Sequence, residues 1–150
     1  MPAVTDSTLG AWLLKASPEG LPVDEVVASS FRTVTSRCVR PSYRVELVRA
    51  GQPVLLWLSG RHPRHPAGIY ASGHATGPVQ EPAEPGAEPW IPVRLHAVEP
   101  VLRTDVLADP VLRELEVVRM PAGSNPSYLD RPQWRTLRQA FPQVDIGWTP

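Results

Sequence analysis

One cysteine and one lysine are all that 150 residues contain of either type. Cys38 has no intrachain disulfide partner and cannot build a cysteine-rich metal site, which fits a reducing compartment. Its expected place is that of a small buried hydrophobe. Long apolar runs are missing too, since none approaches the roughly 20 residues of a membrane-spanning helix. The N-terminus has no charged start leading into an apolar stretch, so a soluble, cytoplasmic protein is expected. Net charge is also absent, at +0 with 15 basic and 15 acidic residues.

What is present is 42% hydrophobic residues, enough for one domain with its own core. The zero net charge conceals an asymmetry. From Phe31 to Arg64 seven Arg stand against one acid, Glu46, whereas from His65 to Glu116 eight acids stand against three Arg. A GC-rich genome accounts for Arg replacing Lys but not for the clustering, which indicates a basic face for an anionic ligand.

The chain is organised around residues 51–73. A turn at Ala50-Gly51 feeds the apolar run Val54 to Leu58, read as a strand buried on both faces. A basic, proline-broken loop follows. From Gly68 to Thr76, Ile69, Ala71, Gly73 and Ala75 then alternate with Tyr70, Ser72, His74 and Thr76, the period of a strand with two different faces. The two strands form a hairpin whose open end carries Trp57, Ser59, Gly60 and several Arg.

The remaining elements are read outward from this hairpin. Residues 1–10 are expected to lack order, and Ala11 to Ala16 to form a short buried strand. A turn at Pro18, Gly20 and Pro22 leads to a helix with Val23, Val26, Val27, Ser30 and Phe31 on one side and Asp24 and Glu25 in its first turn. Residues 32–49 mix strand and helix signals. Residues 77–89, with four Pro and three Glu, are expected to be a mobile loop. Trp90 opens a strand with Ile91, Val93, Leu95 and Ala97 on one face, Pro110 breaks short helical pieces, and Leu115 to Met120 reads as a further strand. Asp130 and Gln133 form a capping box, with Leu129 stapled to Trp134, for a helix over 131–141. Five or six strands with two or three short helices and no βαβ rhythm indicate an α+β fold with a small mixed sheet, strongly curved or closed into a barrel.

Several segments in order resemble the EVE domain, a PUA-like family related to YTH domains. They are Trp12-Leu13-Leu14-Lys15, the run from Gly51 to Gly60, Ala67 to Gly73, Trp90, and Ser124-Asn125-Pro126-Ser127-Tyr128-Leu129 leading into the helix of Trp134. The resemblance spans about residues 11–141. The family usually has Asp in place of Gln52, a difference expected to matter little in a turn. Many relatives have a Trp near Arg32-Thr33-Val34, where YTH domains build a wall of a base-binding cage. Here the nearest aromatic is Phe31, so either Phe31 supplies that wall or the cage is incomplete.

The resemblance implies a non-catalytic reader that receives one modified base flipped out of a strand. The associated ligands are methylated or hydroxymethylated cytosine in DNA, or methylated adenine in RNA. In bacteria such modules look like the reading heads of modification-dependent restriction systems, so a monomer acting beside a nuclease or regulatory protein is expected. Flipping costs a few kcal/mol, and an aromatic face returns about 1–3 kcal/mol per base. Trp57, Phe31 and Trp90 are the candidate faces, Phe31 lying beside Arg32 and Thr33. Ser59, Ser124 and Asn125 have groups suited to a base edge, and Gly60 allows close backbone approach. Arg32, Arg37, Arg61 and Arg64 would meet flanking phosphates.

Two other classes compete. An enzyme, of the ASCH-like hydrolase or nuclease type, would use His62, His65, His74 or Ser59. Pro63 and Pro66 prevent the helix that would align His62 and His65 on a metal, and the sequence designates no base for Ser59, so no metal or cofactor is expected. A protein–protein adaptor would dock through loop 77–89.

Overall fold

The computed structural model describes residues 3–17, 21–60, 62–123 and 125–144. Six strands form one sheet in the order β2-β5-β4-β3-β1-β6. These are β1 (Leu9–Ala16), β2 (Ser36–Cys38), β3 (Pro53–Leu58), β4 (Gly68–Ala75), β5 (Trp90–Leu102) and β6 (Ser127–Asp130). The pair β1–β3 is parallel and every other pair is antiparallel, so the sheet is mixed. The helices are short: α1 (Val23–Ala28), α2 (Arg103–Leu107), α3 (Glu116–Arg119) and α4 (Arg131–Ala140). The fold is α+β, with a curled sheet as the sequence indicates.

Alternation along the strands divides the core in two. Trp12, Leu14, Val54, Leu56, Leu58, Ile91, Val93 and Leu95 face inward and pack with Val23, Val26 and Phe31 of the α1 region. Leu13, Leu55, Trp57, Ile69 and Val101 face outward beneath Val106, Leu112, Val117, Trp134 and Leu137. A register shift beside Trp57 gives β4 an extra residue at Tyr70, and a second shift lies between Ile69 and Ala71 on β5. Such bulges sharpen bending, and the sheet curls around its inner face into a half-barrel. Across the open side, Arg40 N–H donates to the Asn125 carbonyl at 3.0 Å, linking the segment after β2 to the one before β6.

Helix α4 has the capping box expected of it, Asp130 accepting from the Gln133 N–H at 2.8 Å and Gln133 from the Asp130 N–H at 3.0 Å. Helix α1 ends in a Schellman arrangement in which Phe31 N–H reaches the Val26 carbonyl and Ser30 N–H the Val27 carbonyl. Ser30 and Phe31 adopt φ of 57° and 65°, left-handed values that non-glycine residues rarely take. The C-terminal Phe31 thereby turns back onto Val26 and into the core.

Several expectations change. The segment before Ala11 contributes Leu9 and Gly10 to β1, and Val4 is buried with its N–H on the Tyr43 hydroxyl. In place of the strand expected over residues 115–120 stands helix α3 (Glu116–Arg119), because Val118 and Arg119 N–H both bond back to the Leu115 carbonyl. Ala97 is exposed, lying where the β5 bulge begins, and Cys38 is exposed on the edge strand β2. The expected turn at Pro18 and Gly20 lies outside the described residues.

Candidate functional site

The mouth of the half-barrel is built where β1 and β3 end side by side, with Lys15 opposite Trp57 and Ala16 opposite Leu58. There the Ser59 N–H and hydroxyl both donate to the Ala16 carbonyl, at 2.9 and 3.2 Å. Gly60 then turns the chain with φ of 83°. From the opposite edge of the sheet comes Arg37, which points inward because its antiparallel partner Ile91 does. Its Nη2 donates to the Lys15 carbonyl at 3.4 Å.

Arg37 is the chemically unusual group here. Its Nε is buried without a hydrogen-bond partner among the described residues. None of the ion pairs formed there involves it. Burial pulls its pKa down, but a guanidinium stays protonated in proteins. The mouth therefore holds a partly desolvated cation without an acidic partner among the described residues, an arrangement that is costly unless its exposed donors meet acceptors.

Asn125 reaches the same place. Its Oδ1 accepts from the Lys15 N–H at 2.7 Å and its Nδ2 donates to the Lys15 carbonyl at 3.0 Å, so the amide imitates a strand partner for β1. The expected contact with a base edge is replaced by this backbone role. Arg37 and Asn125 thus share one carbonyl oxygen.

Outside that seam lies a cleft of about 300 Å³, lined by Arg40, Ser42, Arg44, Glu116, Gly123 and Asn125 among others. Arg44 makes a two-pronged pair with Glu116 at 2.7 and 2.8 Å, and lies 4.9 Å over the Tyr128 ring. Ser127 adds a bond to Glu116 at 2.9 Å. Burial alone would raise the Glu116 carboxyl, but the bonds from Arg44 and Ser127 outweigh it and hold its pKa below the usual value. Lys15 Nζ donates to the Gly123 and Pro121 carbonyls at the rim.

The three candidate aromatic faces do not converge. Phe31 is 2% exposed on the inner side and Trp57 is 3% exposed in the outer core beneath the helices. Trp90 is half-buried at the far end of β5, beside Cys38 and Gln80. Trp57 neighbours Ile69, which pairs with Val101, nearly the whole 13-residue strand away from Trp90. The cage of Phe31, Trp57 and Trp90 is therefore not formed, because alternation and strand length separate its members.

The other expected residues also divide. Arg32 and Thr33 are exposed beyond α1, Thr33 bonded to the Ser29 hydroxyl at 3.1 Å. Arg64 pairs with Asp24 of α1, so its charge is already met. Arg61 and Ser124 lie outside the described residues. Ser59, Gly60, Arg37 and Asn125 are the ones that the fold brings together.

The two histidines of the loop after β3 are accounted for locally. His62 and His65 stack with centroids 4.8 Å apart, His62 Nδ1 accepts from the Arg64 N–H, and His65 Nε2 lies 3.5 Å from Asp24. Among the described residues no group of His, Cys, Asp and Glu is placed to hold a metal. A larger groove of about 930 Å³ runs beside β6 and α4. Several of its charges are engaged: Arg119 pairs with Glu114, Arg131 donates to the Leu9 and Asp6 carbonyls, and Asp130 caps α4.

Gln52 corrects a further expectation. Its Oε1 accepts from the Trp12 indole at 2.8 Å and the Arg49 N–H at 2.7 Å, and its Nε2 donates to the Leu47 carbonyl at 3.0 Å. It organises the entry to β3. The signal was available, since a buried Trp needs an acceptor for its N–H. The Arg44–Glu116 pair had no such signal, because its partners stand 72 residues apart.

No protein-family model matches the chain, and no match is found among curated proteins. Two solved structures are similar to it. The NMR structure of Rpa0253 from Rhodopseudomonas palustris is 14% identical over 91% of this chain and 96% of that one, with a TM-score of 0.66. A hypothetical protein from Leishmania major is 12% identical over the same shares, with a TM-score of 0.65. At these identities the likeness is one of fold.

Proposed function

We propose that this chain is a PUA-like module of the EVE type that binds nucleic acid and receives a modified nucleobase at the mouth of its half-barrel, without chemistry of its own. The observation that carries the proposal is Arg37: a cation held inside the mouth, without an acidic partner among the described residues. A guanidinium in that position can donate in bidentate fashion to the acceptor edge of a base or to a phosphate, and its plane can stack on a base. That last property replaces the aromatic cage that the sequence suggested. The methylated or hydroxymethylated character of the base rests on the family resemblance.

The module would act beside a separate nuclease or regulatory protein. Fluorescence anisotropy with matched oligonucleotides tests the reading: unmodified, cytosine-modified and adenine-modified, each as DNA and RNA, at low and moderate salt. Preferential binding to one modified strand, weakening as salt rises, is the expected result. Equal failure on every strand at low salt would remove the proposal.

A further inference from the structure

We infer a second subsite, for the phosphodiester group next to the base held at Arg37, in the seam cleft around Arg40. The inference rests on the nucleic-acid reading above. Arg40 lies in the cleft, exposed, and takes part in no ion pair found among the described residues. The one carboxylate there, Glu116, is spent on Arg44 and Ser127. Lys15 adds its ammonium at the rim through Gly123. Counting Arg40, Arg44 and Lys15 against Glu116, the cleft is cationic; Arg40 and Lys15 are the charges not matched there, and Arg40 is the one that lines the cleft.

Position turns this charge into a subsite. Arg37, at the mouth, and the Asn125 amide, at the wall of the cleft, both donate to the Lys15 carbonyl, at 3.4 and 3.0 Å. Mouth and cleft are thus separated by one shared acceptor, a spacing suited to neighbouring groups of one strand. The backbone bond from Arg40 to the Asn125 carbonyl fixes the base of the Arg40 side chain at the same seam. Arg64, one of the phosphate contacts suggested by sequence, is instead paired with Asp24. The strand is therefore led over the seam at Arg40.

The test compares wild-type protein, Arg40→Gln and Arg64→Gln on the preferred oligonucleotide, and on the same strand with one neutral methylphosphonate beside the modified base. Arg40→Gln is expected to weaken binding about three- to tenfold, to reduce the salt slope by about one phosphate contact, and to leave the preference for the modified base unchanged. The methylphosphonate should weaken the wild type by a similar factor and Arg40→Gln little further, while Arg64→Gln binds as wild type. Unchanged affinity and salt slope in Arg40→Gln, with the wild type still selective, would overturn the subsite alone. Failure of the wild type on every strand would overturn the subsite together with the reading on which it depends. Circular dichroism of Arg40→Gln separates loss of a contact from loss of fold.

Discussion

Phe31 and Trp57 lie on opposite faces of one curled sheet, the first in the inner core and the second beneath the outer helices. No single ligand can touch both. Trp57 is a packing residue, and Trp57→Ala is expected to cost about 3–5 kcal/mol of stability. In Trp57→Phe the folded fraction should bind nucleic acid as well as wild type. Urea unfolding followed by anisotropy under native conditions separates the two effects. A stable Trp57→Ala protein that had lost only binding would contradict the assignment.

Trp12 and Gln52 make the next prediction. Removing the Gln52 side chain leaves a fully buried indole N–H without its acceptor, and an unsatisfied buried donor costs about 1–3 kcal/mol. Gln52→Ala should lower the urea midpoint accordingly. In a Trp12→Phe background the same substitution should cost measurably less, which a double-mutant cycle would detect.

The Arg44–Glu116 pair sets a pH dependence. Arg44 and Ser127 depress the folded-state pKa of Glu116, so its contribution to stability is present above the unfolded value of about 4.3. It is lost as pH falls through the folded value. Glu116→Gln should therefore cost about 1.5–3 kcal/mol at pH 7 and progressively less below pH 4.3. Thermal melts of both proteins between neutral and acid pH would show the two curves converging; parallel curves would refute the assignment.

The fold was legible where period and capping chemistry are local. The apolar run of β3, the alternation of β4 beyond its bulge and of the start of β5, Val23 and Val26 on one side of α1, and the box of Asp130 and Gln133 all depend on neighbours a few residues apart, whereas Phe31 lies beyond α1 and is buried by the left-handed turn. The site was legible only in part. Ser59, Gly60 and Arg37 could be chosen by residue type, but the face on which each points depends on bulges and on strand order. Trp57 illustrates the limit, since its side is set by the register with Lys15 and by helices that arrive much later in the chain. Helix α3 was misread as a strand because Leu115 and Val117 are buried two apart, a spacing that a short helical turn can also produce.

Ser30 occupies the left-handed position that ends helix α1, where glycine is usual. Ser30→Gly should raise stability by about 0.5–1 kcal/mol, since the strain of a left-handed non-glycine residue outweighs the added freedom of the unfolded chain. A shift of the urea midpoint upward checks it, and a downward shift would show that the Ser30 side chain contributes more than the strain.

The most direct measurement concerns Arg37. An uncompensated, half-buried cation kept for a ligand should be dispensable for folding, so Arg37→Met is expected to match or exceed the wild type in urea midpoint. The same variant should lose at least tenfold in affinity for the preferred modified oligonucleotide, together with its preference over the unmodified strand. Wild-type binding and selectivity in Arg37→Met would contradict the account. So would a large loss of stability, which would make Arg37 a structural residue and leave the mouth without its ligand-directed group.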